Sequence, residues 1–367
     1  MKKLDYVDAL RGWAILGVIT IHTSQFGRVK MDPLTERMLL EGSRGVLLFF
    51  LASAFTLFLS YKRRIGKEIY PTRNFFLRRF FRIAPMFYIG IIYFFFQSWI
   101  NTHSWINEST YITPSSIISS FFFLHAFSPF WIAGVVPGGW SIGVEMTFYL
   151  LLPIIAYRIK NLSDAFLFFL ISLIFKAILF YFLLRFPLIE DQGLWVNFLF
   201  LYFPAQIPIF ALGIMLYFVV IEKEDMLSIS GSYLLFFFTL IIIQLVSKSQ
   251  LLLADNILFG FAFFILGLAL SKYRSPLFVN STLIYIGKIS FSLYLVHFAV
   301  IFWFNKYDLL DYVSNPYMNY AIRLLAITSA SAAVSTLTYH IVEVPFQNIG
   351  NKIIASLENL NQNIHQS

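Results

Sequence analysis

Apolar runs of about twenty residues recur along the whole chain, separated by short polar or basic stretches. At about 1.5 Å per helical residue, each is long enough to cross a hydrocarbon layer of about 30 Å. By apolar length the runs fall at 10–28, 43–61, 80–99, 140–157, 164–185, 197–221, 231–247, 251–271, 283–304 and 319–341. The pattern predicts an all-α, polytopic membrane protein of about ten transmembrane helices.

Basic residues orient the set. Lys2 and Lys3 precede the first run, and Lys62, Arg63, Arg64, Lys67, Arg73, Arg78, Arg79 and Arg82 crowd the second connection. Arg158 and Lys160 follow the fourth run, Lys223 the sixth, and Lys272 and Arg274 the eighth. All fall on one side if the chain starts inside, crosses an even number of times and ends inside, so both termini are expected in the cytosol. The connection 100–139 is then external. Its apolar patch, 117–127, is too short to span and reads as a re-entrant or interfacial segment. Pro204 and Pro208 predict a kink in the sixth run. No internal repeat is visible. The expected organisation is one transmembrane domain, 1–345, and a short polar cytosolic tail, 346–367.

Composition adds little to the class and much to the chemistry. Of 367 residues, 59% are hydrophobic and 13% charged, which excludes a soluble domain of this size. Cysteine is absent, removing disulfides, thiolate metal ligands and a thiol nucleophile. The acidic residues Asp5 and Asp8 stand before Arg11 and no small-residue cleavage site follows, so the first run is expected to be retained rather than cleaved.

Ionisable groups inside apolar runs are costly and mark function. Arg11 and His22 lie eleven residues apart in the first run, three helical turns plus about 20°, and so share a face at an offset of roughly 16 Å. Arg11 can equally snorkel to headgroups, and His22 can be a hydrogen-bonded packing residue. Position within each run sets depth: His22, Glu145 in the fourth run and His297 in the ninth all come out within a few ångströms of one level in the outer third of the membrane. A carboxylate beside an imidazole would orient and charge it as a base; the plainer reading makes Glu145 an interfacial acid and His297 a satisfied core residue. Lys176 sits in mid-run with no partner evident. His125, His340 and Glu343 are left to structure. Arg78, Arg79 and Arg82, on adjacent helix faces at the cytosolic surface, suit phosphate recognition or simple anchoring to anionic lipid.

These residues sit in stretches that resemble the acyltransferase-3 family of integral-membrane acyltransferases, many of which O-acetylate bacterial surface polysaccharides. The stretches, in order, are DALRGWAILGVITIH with Arg11 and His22, SRGVLLFFLASAF, RRFFRIAPMFY, WSIGVEMTFYLLLP, ISFSLYLVHF and VEVPF. Ala54 stands where the family usually has glycine, and Phe87 where tyrosine is common. Some members carry an extracytoplasmic hydrolase-like domain, for which no length is expected after the last helix here.

The resemblance implies acyl-CoA, acetyl-CoA first, as co-substrate, with no tightly bound cofactor and no metal. Arg11, Arg78, Arg79 and Arg82 would bind the donor. His22 would serve as base, or carry a transient acyl group, with Glu145 orienting it. Trp140, Ser141, Ser292, Tyr294 and His297 would bind substrate or support the site. The acceptor would be a hydroxyl of a cell-envelope carbohydrate or lipid-linked glycan: lipopolysaccharide O-antigen, capsule, peptidoglycan or a smaller glycosylated molecule. The bacterial cytoplasmic membrane is the expected location, membrane lipids the surroundings, and no nucleic-acid partner is expected. Two other classes stay open. A transporter of glycan precursors or other amphiphiles could use the same groups as a proton relay, and a scaffold of an envelope complex would use none of them.

Overall fold

The structure, a computed structural model, describes residues 4–27, 31–103, 112–247 and 252–366. Lys2 and Lys3 lie outside the described residues, as do 104–111 of the long connection and residue 251 of the eighth apolar run. Among the described residues there is no β-strand. In chain order the helices are α1 (Asp5–Ser24), α2 (Pro33–Leu40), α3 (Gly45–Lys62), α4 (Pro71–Thr102), α5 (Pro114–Phe121), α6 (Pro129–Ile132), α7 (Trp140–Arg158) and α8 (Leu162–Arg185). They continue with α9 (Gln192–Leu201), α10 (Phe203–Tyr217), α11 (Gly231–Ser247), α12 (Asp255–Lys272), α13 (Ser281–Lys288), α14 (Ser290–Lys306), α15 (Pro316–Thr338) and α16 (Val344–Gln366).

Each of the ten apolar runs is centred on helix, but not all meet the demands of a membrane crossing. Among the described residues, seven helical stretches are long and apolar enough: 33–62, 71–102, 140–158, 162–185, 192–222, 255–272 and 316–359. There are eight if α13 and α14, bent by 78° where they meet, count as one span. Two expected spans fall short for different reasons. In α1 the length suffices, but Asp5, Asp8, Arg11 and His22 dilute the apolar surface; α11 is described over 17 residues, Gly231–Ser247. The sixth run breaks as its prolines require: α9 ends before Tyr202, extended at ψ 160°, Pro204 opens α10 and Pro208 lies within it. The apolar patch at 117–127 becomes the short helices α5 and α6 joined by a 3-10 turn at His125–Phe127. The segment expected as a tail is the amphipathic helix α16.

The chain divides into two compact units. One comprises 1–49, 77–94 and 274–356, the other 50–76, 95–273 and 357–367. In the first, α1 is held by backbone approach. A Cβ placed on Gly287 of α13 would lie 1.7 Å from the Asp8 carbonyl oxygen, and one on Gly42 would lie 2.3 Å from that of Gly17. Small residues let membrane helices meet this closely. Asn280 and Asn315 cap α13 and α15 through their side-chain oxygens. In the second unit α10 is the buried element, packed on α8 and α12, with Phe210 stacked on Phe148 at 4.2 Å. Trp195 of α9 is buried there and donates its indole N–H to the Leu183 carbonyl at 2.8 Å.

Candidate functional site

Polar side chains inside the first unit gather around the C-terminal end of α1. His22 lies in its last turn, and its Nδ1–H donates to Oε1 of Gln25 at 3.4 Å. That bond leaves Nε2 as the ring's lone-pair nitrogen. The His297 ring of α14 sits 5.4 Å away between centroids, and Phe298 touches both, at 4.5 Å from His22 and 4.0 Å from His297. His297 is fully buried, and its Nδ1–H donates to the Leu293 carbonyl one turn earlier at 3.1 Å. Tyr294 follows on the same helix, 6.0 Å from His297 and 6.2 Å from Phe49. Arg11 lies on the same unbroken helix as His22, so the offset of about 16 Å stands; its guanidinium is 3.8 Å from Asp8.

What holds α14 in place is a carboxylate that sequence reading left unassigned. Glu343 is buried in a π-helical turn, Tyr339–Glu343, and its Oε1 accepts both the backbone N–H of Ser292, at 3.0 Å, and the Ser292 hydroxyl. A carboxylate at the first turn of α14 also favours the helix dipole. Arg82, on α4 within the same unit, is near enough for its charge to act on Glu343. Arg78 and Arg79 share that segment of α4 and are half-buried.

In the second unit the fourth-run motif makes its own cluster. Glu145 Oε1 accepts from the Tyr149 hydroxyl at 2.7 Å and from the Ser53 hydroxyl. Trp140 opens α7 and meets Phe50 edge to face at 6.0 Å; the Ser141 hydroxyl donates to the Gly138 carbonyl at 3.0 Å. His125 is a clasp for this turn: Nε2–H donates to the Gly139 carbonyl at 2.8 Å, and burial lowers its basicity so that it stays neutral. Lys176 does have a partner, Asn256 Oδ1 at 3.4 Å on α12.

Within the first unit the structure sets the His22 and His297 rings against each other, and within the second it gives Glu145 the neighbours Ser53 and Tyr149. Gln25, Phe298, Tyr149 and Ser53 were not singled out from sequence, and Glu343 was named without a role. Gln25 and Tyr149 carried a signal, standing three residues after His22 and four after Glu145, where helix neighbours meet. Ser53 and Glu343 did not, because their partners come from distant parts of the chain.

By class this is a multi-pass helical membrane protein with ionisable side chains gathered inside its helix packing. It belongs to the acyltransferase-3 family, whose acyltransferase domain profile matches residues 4–340. Three Staphylococcus aureus proteins carrying the name "Putative O-acetyltransferase" are similar to it: SACOL0978 of strain COL, SAS0844 of strain MSSA476 and SAR0937 of strain MRSA252. Each is 23% identical over 407 aligned positions, covering 96% of this chain and 59% of the relative. The chain therefore spans about three fifths of the length of these curated relatives. No solved structure matches it significantly.

Proposed function

We propose that the chain is a membrane O-acyltransferase that moves an acyl group, acetyl first, from cytosolic acyl-CoA to a hydroxyl of a cell-envelope carbohydrate at the bacterial cytoplasmic membrane. The observation that carries this reading is the state of His22: an imidazole at the end of α1, tethered through Nδ1 to Gln25 and packed against a second imidazole and a phenyl ring. A neutral imidazole with Nε2 bare is the form a general base needs.

The chemistry balances without a further reactant. The acceptor hydroxyl attacks the thioester carbonyl, the new C–O bond forms and the C–S bond breaks. The hydroxyl proton passes to His22 Nε2 and from there to the departing CoA sulfur. Arg78, Arg79, Arg82 and Arg11 would hold the nucleotide phosphates from the cytosolic side. An extended pantetheine arm is comparable in length with the Arg11–His22 offset. Glu145, whose carboxylate accepts from the Ser53 and Tyr149 hydroxyls, would be the carboxylate that the family resemblance gives the reaction. Trp140, Ser141, Ser292 and Tyr294 would shape and support the substrate path.

Membranes bearing the protein, given radiolabelled acetyl-CoA, should put covalent label on envelope glycan. His22→Ala and Glu145→Gln should insert normally and lose the transfer, His22→Ala by about 100-fold or more. Full activity in His22→Ala would remove the base assignment. Accumulation of label inside vesicles without covalent transfer would favour the transporter reading instead.

A further inference from the structure

Resting on that acyl-transfer reading, we propose that His297 is the positioning partner of His22: its bare Nε2 receives an N–H of the charged His22 ring and shares the proton during the reaction.

Three features of the structure lead there. The tautomer of His297 is fixed, because Nδ1 faces the Leu293 carbonyl at 3.1 Å and must carry the hydrogen. The other nitrogen is therefore a lone pair, and it has no hydrogen-bond partner although the residue is fully buried. Buried polar atoms are nearly always satisfied, and an exception calls for an explanation. A core histidine serving only as filler would leave no nitrogen unpaired; a phenylalanine fills the same space without that cost.

The explanation lies 5.4 Å away, at the His22 ring. Two imidazoles joined by an N–H···N bridge have centroids about 5 Å apart, given an N···N separation near 3 Å. The observed centroid separation is close to that value, and Phe298 lies against both rings. In resting His22 the Nδ1–H is committed to Gln25, so the pair holds no proton to share. Once His22 Nε2 takes the acceptor's proton, both His22 nitrogens carry hydrogen and the pair's one remaining lone pair is on His297 Nε2. His297 then stabilises the cation without removing the proton, which returns to the CoA sulfur. His297 does this through His22 and need not touch the substrate.

The variants separate this role from packing. His297→Phe keeps the ring and loses both nitrogens. His297→Asn keeps a donor for the Leu293 carbonyl and loses the outer lone pair. His297→Gln offers an amide oxygen near the Nε2 position. In the membrane acetyl-transfer assay, His297→Phe and His297→Asn should lower kcat by about 100-fold with the KM for acetyl-CoA changed by less than about 3-fold, and His297→Gln should recover part of the loss. If His297→Phe fails to insert, His297→Asn carries the test. Wild-type kcat in either of these two variants, or a loss that appears only in KM, overturns the proposal. Undiminished transfer by His22→Ala would instead bring down the catalytic assignment on which the partner role depends, and is read in a separate lane of the same experiment.

Discussion

Removing the Glu343 side chain tests how the histidine-bearing helix is held. In Glu343→Ala, Ser292 loses the acceptor of both its backbone N–H and its hydroxyl. Hydrogen bonds to a charged acceptor contribute about 1.5–3 kcal/mol each, so the loss is about 3–6 kcal/mol in a buried setting. Glu343→Gln keeps an oxygen in the same place and gives up the charge, which should cost roughly half as much. For a domain of 150–250 residues, about 1 kcal/mol moves the melting temperature by about 2–4 °C. Thermal unfolding of the detergent-solubilised protein should therefore drop on the order of 10 °C for alanine and clearly less for glutamine. Ser292 lies five residues before His297, about 7.5 Å along the helix, so acetyl transfer should fall in the same order. A Glu343→Ala protein that melts within about 2 °C of wild type, or a glutamine variant as damaged as the alanine one, would refute the reasoning.

Other consequences can be checked singly. Arg82→Ala should raise the KM for acetyl-CoA more than that for the acceptor, measured by varying each in turn. Gly287→Ala places a methyl where the Asp8 carbonyl already sits, 1.7 Å away; overpacking of this kind costs about 1–3 kcal/mol or more and should show as faster thermal inactivation. Asp32 accepts hydrogen bonds from Thr35 and Leu34 and from the Tyr317 hydroxyl, and these, that of Thr35 foremost, hold its carboxyl down at about 2. A depressed carboxyl contributes its stability above the unfolded value near 4 and loses it as pH falls from about 4 to about 2. Protection of the Leu34 and Thr35 amides against hydrogen exchange, relative to the free-peptide rate at each pH, should fall in that window, and Asp32→Asn should flatten the response.

Much of the architecture is written in apolar run length, because a helix must satisfy its own backbone in lipid and about twenty apolar residues suffice. Each expected run is centred on helix for that reason. Run length does not report how a helix is interrupted: the 78° bend between α13 and α14 arises where Ile289 separates them, inside an apolar stretch with no proline. The ring contact of His22 with His297 joins two residues that the sequence singled out. The facing of helices was not legible. Glu145 takes its partners from its own helix and from Ser53, ninety-two positions away, and Lys176 finds Asn256 eighty positions away. Those pairings depend on rotation about the helix axis, which a hydrophobic run nearly uniform around its circumference cannot encode; the phenylalanine-rich helices here are of that kind.

The glycine contacts along α1 also bear on how any turnover cycle can move. Gly12 and Gly287 bring it main chain to main chain against α13, Gly17 meets Gly42, and Gly45 meets the Ala14 carbonyl. A rod gripped by peptide groups rather than by compliant side chains has no slack to slide or roll. The His22 imidazole it carries is then a fixed anvil, and in the proposed reaction the travelling parts are the substrates and whichever neighbours are less tightly clasped.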